Sequence, residues 1–159
     1  MQIREATVKD AGLVAMLISR SFKNIAEEFS LTAENCPTHP SHCTPDWVER
    51  DLARGVRFFI LEDQGSPCGC VGLEAAGTEY CYLERLAVLP EHRRKGFGEA
   101  LVQHVIDEAA SLGLQRVEIA IIAEQTDLRI WYEKRRFQVT GEKVFEHLPF
   151  KVAFMRRLI

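Results

Sequence analysis

The chain has 159 residues, with 20 basic and 23 acidic side chains, a formal net charge of −3 and 47% hydrophobic residues. At roughly 150 residues per domain this length predicts one domain over residues 1–159, large enough to bury a core without disulfide or metal staples. Charges of both signs at 27% argue against disorder and against a general nucleic-acid-binding face; no apolar run is long enough for a membrane span; and MQIREATVKD lacks the layout of a secretory leader, so a cytoplasmic protein with no nucleic-acid or membrane partner is expected.

Ile3 to Thr7 reads as a first strand, and Asp10 stands where an N-cap opens a helical run through Leu13, Met16, Leu17 and Phe22. From Ser30 to Pro45 the periodicity dissolves. Pro37, Pro40 and Pro45 each remove a backbone donor and disfavour helix in the preceding residue, which predicts a stiffened loop. Thr44 then reads as an N-cap with Pro45 at the first helical position, for a helix through Trp47, Val48 and Leu52 that stops at Gly55. Three strands follow, Val56 to Leu61, Cys68 to Ala75 and Glu79 to Leu89, and their short connections predict an antiparallel meander. After Pro90, the run GFGEALVQHVIDEAASLG sets Phe97, Leu101, Val105, Ala109 and Leu112 on one helical face, closed by Gly113. Val117 to Ala123 reads as a strand, and Thr126 or Asp127 caps a helix through Leu128, Ile130, Trp131 and Tyr132. Phe137 to Phe145 and Phe150 to Met155 form a terminal hairpin. The order β-α-α-β-β-β-α-β-α-β-β predicts an α/β (α+β) fold, a mixed, mostly antiparallel sheet flanked by helices. Cys68 and Cys70 are badly placed for a mutual bridge and the cysteine total is odd, so reduced thiols are the simpler reading.

The most informative segment is LAVLPEHRRKGFGEAL, Leu86 to Leu101, where a strand ends and a helix begins across His92, Arg93, Arg94 and Lys95. A helix N-terminus carries about half a positive charge and unpaired N–H groups, so cations there are unfavourable unless an anion sits among them. Gly96 and Gly98 let backbone approach a ligand closely, and no Ser, Thr, Asp or Asn stands at the obvious cap position, so a phosphate can serve as the cap. The plainer reading is a solvated basic turn. A Walker loop would end Gly-Lys-Ser/Thr, whereas Lys95 precedes the glycines; a dinucleotide fingerprint would need a third glycine where Leu101 stands, although Glu118 lies near the expected distance for its acid.

What remains, Arg93-Arg94-Lys95-Gly96-Phe97-Gly98, matches the R/Q-x-x-G-x-G/A pyrophosphate loop of the GCN5-related N-acetyltransferases, and the chain resembles that superfamily over nearly its whole length. YLERLAVLPEH looks like the family's fourth strand and DLRIWYEKRRF like its last helix. Two positions depart from the family pattern: Arg136 replaces a glycine before Phe137, and Gln125 replaces an asparagine. The resemblance implies a bulged fourth strand splayed from the fifth, with acetyl-CoA as cosubstrate in the gap. Leu86, Ala87 and Val88 would line its pantetheine arm. The amides from Arg94 to Glu99, and so the loop Arg93, Arg94, Lys95, Gly96, Phe97, Gly98 and Glu99, would hold its diphosphate. Gln125 would contact the cofactor, and Tyr132 would lie near the thioester sulfur.

Direct acetyl transfer needs a deprotonated amine, donors for the developing oxyanion and a proton for the departing thiolate. Tyr132 is the candidate for the last role. Full transfer from a phenol of pKa near 10 to a thiolate of pKa near 8.5 runs uphill by roughly 2 kcal/mol, so a hydrogen bond is the alternative. Strand alternation puts Tyr82, Glu84 and Leu86 on one face, away from Cys81, Leu83 and Arg85. Glu84 is then the acid nearest the expected thioester, and the resemblance favours it as general base with Tyr82 as its neighbour; the bland alternatives are a paired surface carboxylate and a core tyrosine.

In the loop Cys36 to Cys43, two thiols and two imidazoles invite a zinc reading, but the spacing fits no standard site and no metal is expected. The resemblance, in which this position covers the acceptor site, implies instead a lid that would bring His39, His42 or Trp47 to an acceptor pocket; the bland alternative is a surface loop with no function. The leading expectation is thus an N-acetyltransferase whose partner is a primary amine, of a small molecule or a peptide. The other classes are a coenzyme-A-binding sensor without turnover and a zinc-binding interaction module. A homodimer is compatible with all three.

Overall fold

Seven strands form one sheet, in the order β1-β2-β3-β4-β5-β7-β6, in the computed structural model, which describes residues 1–159. The elements are β1 Gln2–Glu5, α1 Ala11–Glu28, α2 Pro45–Ala53, β2 Arg57–Asp63, β3 Ser66–Ala76, β4 Tyr80–Val88, α3 Phe97–Ser111, β5 Arg116–Ile122, α4 Thr126–Glu133, β6 Gln138–Val144 and β7 Lys151–Leu158. Every element expected from the pattern is present in the expected order. β2 to β4 pair antiparallel as their short turns require, β1 adds antiparallel to β2 after the two helices, β4 pairs parallel with β5, and β7 lies between β5 and β6. No helix is long and apolar enough to cross a membrane.

The sheet buries a core on each face. On one side, Leu101, Val102, Val105 and Ala109 of α3 pack against Leu73, Cys81, Leu83 and Val117, with Tyr132 and Phe137 closing one end. On the other, Val14, Leu17 and Ile18 of α1 and Val48 of α2 cover Phe58, Ile60, Cys70 and Ala87. Amphipathic helices with a wide apolar stripe produce this arrangement, because each stripe must be covered by one face of the sheet. All five cysteines are free and buried. Cys68 and Cys70 lie in different cores, since a register shift opposite Leu61 and Glu62 turns them to opposite faces.

Asp10 does not cap α1 through its side chain. Its carboxylate turns back, accepting from the Thr7 backbone N–H at 2.8 Å and from Arg4 at 3.0 Å, and these bonds hold its pKa down to about 2. The extended cap conformation belongs to Thr7, one short 3-10 turn earlier, so the capping signal lies one turn before its expected place. Similarly, α4 starts after Gln125, whose side chain makes no capping bond, and not after a Thr126 or Asp127 cap.

Candidate functional site

β4 changes register against β3 between the pairs Gly72↔Glu84 and Cys70↔Ala87, which inserts one extra residue into β4. Arg85 takes a left-handed conformation there, with φ +52°. The inserted residue reverses side-chain parity. Leu86 and Val88 join Cys81 and Leu83 on the α3 side, and Ala87 enters the α1 core. The expected common face of Tyr82, Glu84 and Leu86 is therefore not formed. Arg85, expected to point away from Glu84, is directed to α2, where its Nη1 donates to Asp51.

β4 and β5 are hydrogen-bonded only from Tyr80↔Arg116 to Tyr82↔Glu118 and then part. A cleft of about 960 Å³ opens in the wedge. Of the residues expected there, Glu84, Leu86, Val88, Arg93, Arg94, Gly96, Phe97, Gly98, Glu99, Gln125 and Tyr132 line it. Ala87 does not, because the bulge turns its side chain into the opposite core, and Lys95 is exposed outside it.

At one end of the cleft, Arg94 (φ +63°) and Gly96 (φ +82°) bend the chain into α3, which has no side-chain cap. The amides from Arg94 to Glu99 donate to no acceptor within the chain, a concentration of N–H groups that suits an oxyanion. The cationic run is divided in its work. Arg93 is a strap: its Nε donates to the Val88 carbonyl at 3.0 Å and its Nη2 to the Ser21 carbonyl at 2.7 Å, tying the loop to β4 and α1. A Cβ on Gly98 would stand 3.3 Å from the Trp131 ring. Arg135 stacks over that indole at 3.7 Å and reaches Glu99 at 3.4 Å. Trp131 and Arg135 both line the cleft and were not anticipated, although their i,i+4 spacing at the end of α4 sets them on one face.

At the other end, Glu84 is mostly buried and its Oε1 has no hydrogen-bond partner. Burial, reinforced by the nearby Glu74 carboxylate and opposed by Arg85, pushes its pKa up to about 7. Tyr132 is buried edge-on between Trp131 and Phe137, with ring centroids 4.9 and 5.3 Å away. Burial raises its pKa further above the usual phenol value, so it remains a donor at all ordinary pH. The Tyr82 hydroxyl lies 3.4 Å from that of Tyr80, and this bond together with partial burial pushes its pKa up to about 12.

The proline-stiffened loop contributes His39, which is buried against Phe22 and lines the cleft. Its Nδ1 accepts from the Ser41 backbone N–H at 3.2 Å, which leaves the ring proton on Nε2. Burial and the neighbouring His42 push its pKa down to about 4. His42 and Trp47 stand elsewhere, the first beside a separate surface groove and the second against the α1 core. Cys36 and Cys43 are buried in different clusters, and no group of three or more His, Cys, Asp or Glu is placed to hold a metal ion.

Residues 21–137 match the acetyltransferase (GNAT) family. Among sequence relatives, the amino-acid acetyltransferase of Neisseria meningitidis serogroup A is 31% identical over 102 residues, 64% of this chain and 22% of that protein. The chain spans between about a fifth and a third of the length of the curated relatives it matches. Among solved structures, PaiA N-acetyltransferase from Thermoplasma acidophilum in complex with coenzyme A superposes with a TM-score of 0.80 at 15% identity, covering 100% of both chains. YncA from Salmonella typhimurium with its cofactor acetyl-CoA gives a TM-score of 0.70 at 19% identity over 99% of this chain and 93% of that one.

Proposed function

The chain belongs to the acetyltransferase (GNAT) family, and on that premise we propose that residues 1–159 form one transferase domain that moves an acetyl group from acetyl-CoA directly to a primary amine. The observation that carries this reading is the row of unpaired amides around Gly96 at one end of a cleft whose other end holds Glu84. That arrangement fits coenzyme A. The amides from Arg94 to Glu99 would take the diphosphate, with space beside Gly96, where a Cβ would meet nothing within 4 Å. Leu86 and Val88 would form the apolar wall for the arm that follows, and Gln125 and Tyr132 would complete its far side.

When bound, acetyl-CoA supplies an activated acyl group. The chain's own residues supply the proton handling. Glu84, with a pKa near 7, is partly ionised at neutral pH and would take a proton from the ammonium of the acceptor. Tyr132, raised by burial, is an even weaker acid than a free phenol, which supports a hydrogen-bond donor to the departing thiolate over a full proton transfer. Leu86 and Val88 would exclude water from the reacting end.

Calorimetry with acetyl-CoA, followed by a thiol-release assay across amino acids, polyamines, aminoglycosides and peptide N-termini, tests the reading. Binding and turnover with at least one amine are expected. Gly98→Val, whose side chain would press on Trp131, should weaken cofactor binding at least tenfold, whereas Tyr132→Phe should lower kcat more than affinity. Absence of binding would remove the proposal, and tight binding without turnover on any amine would leave a coenzyme-A sensor in its place.

A further inference from the structure

Glu84 of β4 stands opposite Gly72 of β3, and Glu74 lies two residues further along β3, opposite Tyr82. Alternation puts Gly72 and Glu74 on one face, so Glu74 is the diagonal neighbour of Glu84, within reach of a long side chain. Gly72 gives the Glu84 side chain room to lie across β3: a Cβ there would stand 3.2 Å from the Glu84 Cγ. When protonated, the Glu84 carboxyl donates a hydrogen bond to Glu74.

The two carboxyls see different surroundings. Glu84 lines the cleft and is mostly buried, whereas Glu74 lies outside the cleft wall with its side chain 27% exposed. The other charged or titratable groups on this side offer a proton no way out. Arg85 of β4 and Arg54 of α2 are donors without a basic site. Asp51 of α2 is buried and accepts from both of them. Tyr82 keeps its own proton, its pKa pushed up to about 12 by its bond to Tyr80 and partial burial. Arg54 donates to Glu74 as well, which fixes that carboxylate in place.

Acetylation of an ammonium releases one proton per turnover. Of the three N–H protons, the amide keeps one, the thiol of coenzyme A takes one, and the third must leave. With cosubstrate and acceptor filling the cleft, Glu84 holds that third proton away from water.

We propose that Glu74 is the exit for this proton. Glu84 takes it from the acceptor ammonium and passes it along their hydrogen bond to Glu74, and Glu74 gives it to water or a buffer base at the surface. Both carboxylates are then restored for the next turnover. Glu74 touches neither substrate nor cofactor and acts only through Glu84. This exit presupposes the acetyl-transfer reading above, with Glu84 as its base.

Glu74→Gln keeps an oxygen for Arg54 and the length of the side chain but cannot take up a proton. With acetyl-CoA and the fastest amine of the panel above, kcat should fall roughly ten- to a hundredfold, at or below what a direct acid or base contributes. One negative charge beside Glu84 is also gone, so the acid limb of kcat/KM should move to lower pH. The same shift should appear without turnover, in carbon-13 NMR of labelled glutamate carboxyls, as a lower titration midpoint for the signal that Glu84→Gln removes. In Glu74→Ala, which opens a gap to solvent, formate should restore part of kcat, and it should not accelerate the wild type.

Wild-type kcat in Glu74→Gln would overturn the exit while leaving acetyl transfer standing. So would a slower variant with an unmoved Glu84 midpoint and no response to formate, the pattern of a merely structural role. If the wild type acetylates no amine, the transfer reading fails and the exit with it. If Glu74→Ala does not fold, the rate and the midpoint in Glu74→Gln decide.

Discussion

Glu84 sits where burial and a second carboxylate raise its pKa to about 7, and its proton has consequences for both rate and stability. As general base it must be ionised, so kcat/KM should rise with pH through about 7 and level above it. Glu84→Gln should remove that inflection and lower kcat by roughly 10²- to 10⁴-fold. Stability has the opposite sign. Between the ordinary carboxylate pKa and about 7 the folded chain holds a proton that the unfolded chain has lost, so this residue destabilises the fold increasingly as pH rises through that window. Glu84→Gln should therefore melt higher than wild type at pH 8 and lose that advantage near pH 4. A rate profile without the inflection in wild type would discard Glu84 as the base. Residue type and the family resemblance made Glu84 a candidate in the chain alone, and the structure sets it in the cleft wall. Its neighbour's orientation was not legible, because the usual mark of such a bulge is glycine and this chain has Arg85.

Helix ends and strand registers hold most of what the pattern concealed. The antiparallel meander was legible from turn-forming residues between apolar runs, and α3 from its stripe of Leu101, Val105 and Ala109. Caps were less so, since a Thr7-to-Asp10 box and an Asp10 N-cap look alike until the backbone angles separate them. The end of α4 shows the same limit. Arg136 stands where the family resemblance leads one to expect glycine, yet it adopts φ +69°, and the Phe137 N–H still returns to the Tyr132 carbonyl at 3.1 Å. The helix thus exits as a glycine would have it, at the expense of a left-handed arginine. Arg136→Gly should stabilise the fold by about 1 kcal/mol, read as a higher midpoint in urea with unchanged slope. A lower midpoint would mean that the arginine side chain contributes more than its backbone strain costs.

For the molecule as a whole, stability comes chiefly from two cores, one on each face of the sheet, with a smaller cluster of Ala26, Leu31, Cys36 and Ile122 beside them. Leu101 lies wholly inside the α3 core, and Leu101→Ala should cost about 2–5 kcal/mol in denaturant unfolding. Coenzyme A acts in the other direction. At a hundred times its Kd it should add about 2.7 kcal/mol to unfolding, seen as a concentration-dependent Tm, and a flat Tm across the titration would contradict a site in the cleft. The succession of elements, and with it the architecture, was written in alternation and helical spacing. From charge and glycine the cleft was legible at the Arg93–Glu99 turn, and the family resemblance added Glu84, Leu86, Val88, Gln125 and Tyr132; the walls from α1, β5 and β7 are brought together by folding from distant parts of the chain.

The brief ladder between β4 and β5 makes the sheet two plates riveted at a single corner, Tyr80 to Tyr82 against Arg116 to Glu118. Past that corner, main-chain N–H groups along the facing margins have no strand partner to shield them from exchange with water. Deuterium should therefore enter there ahead of the flanking strands, and a molecule wedged into the seam should retard it, making isotope uptake along this one margin a gauge of occupancy that needs no chemistry to occur.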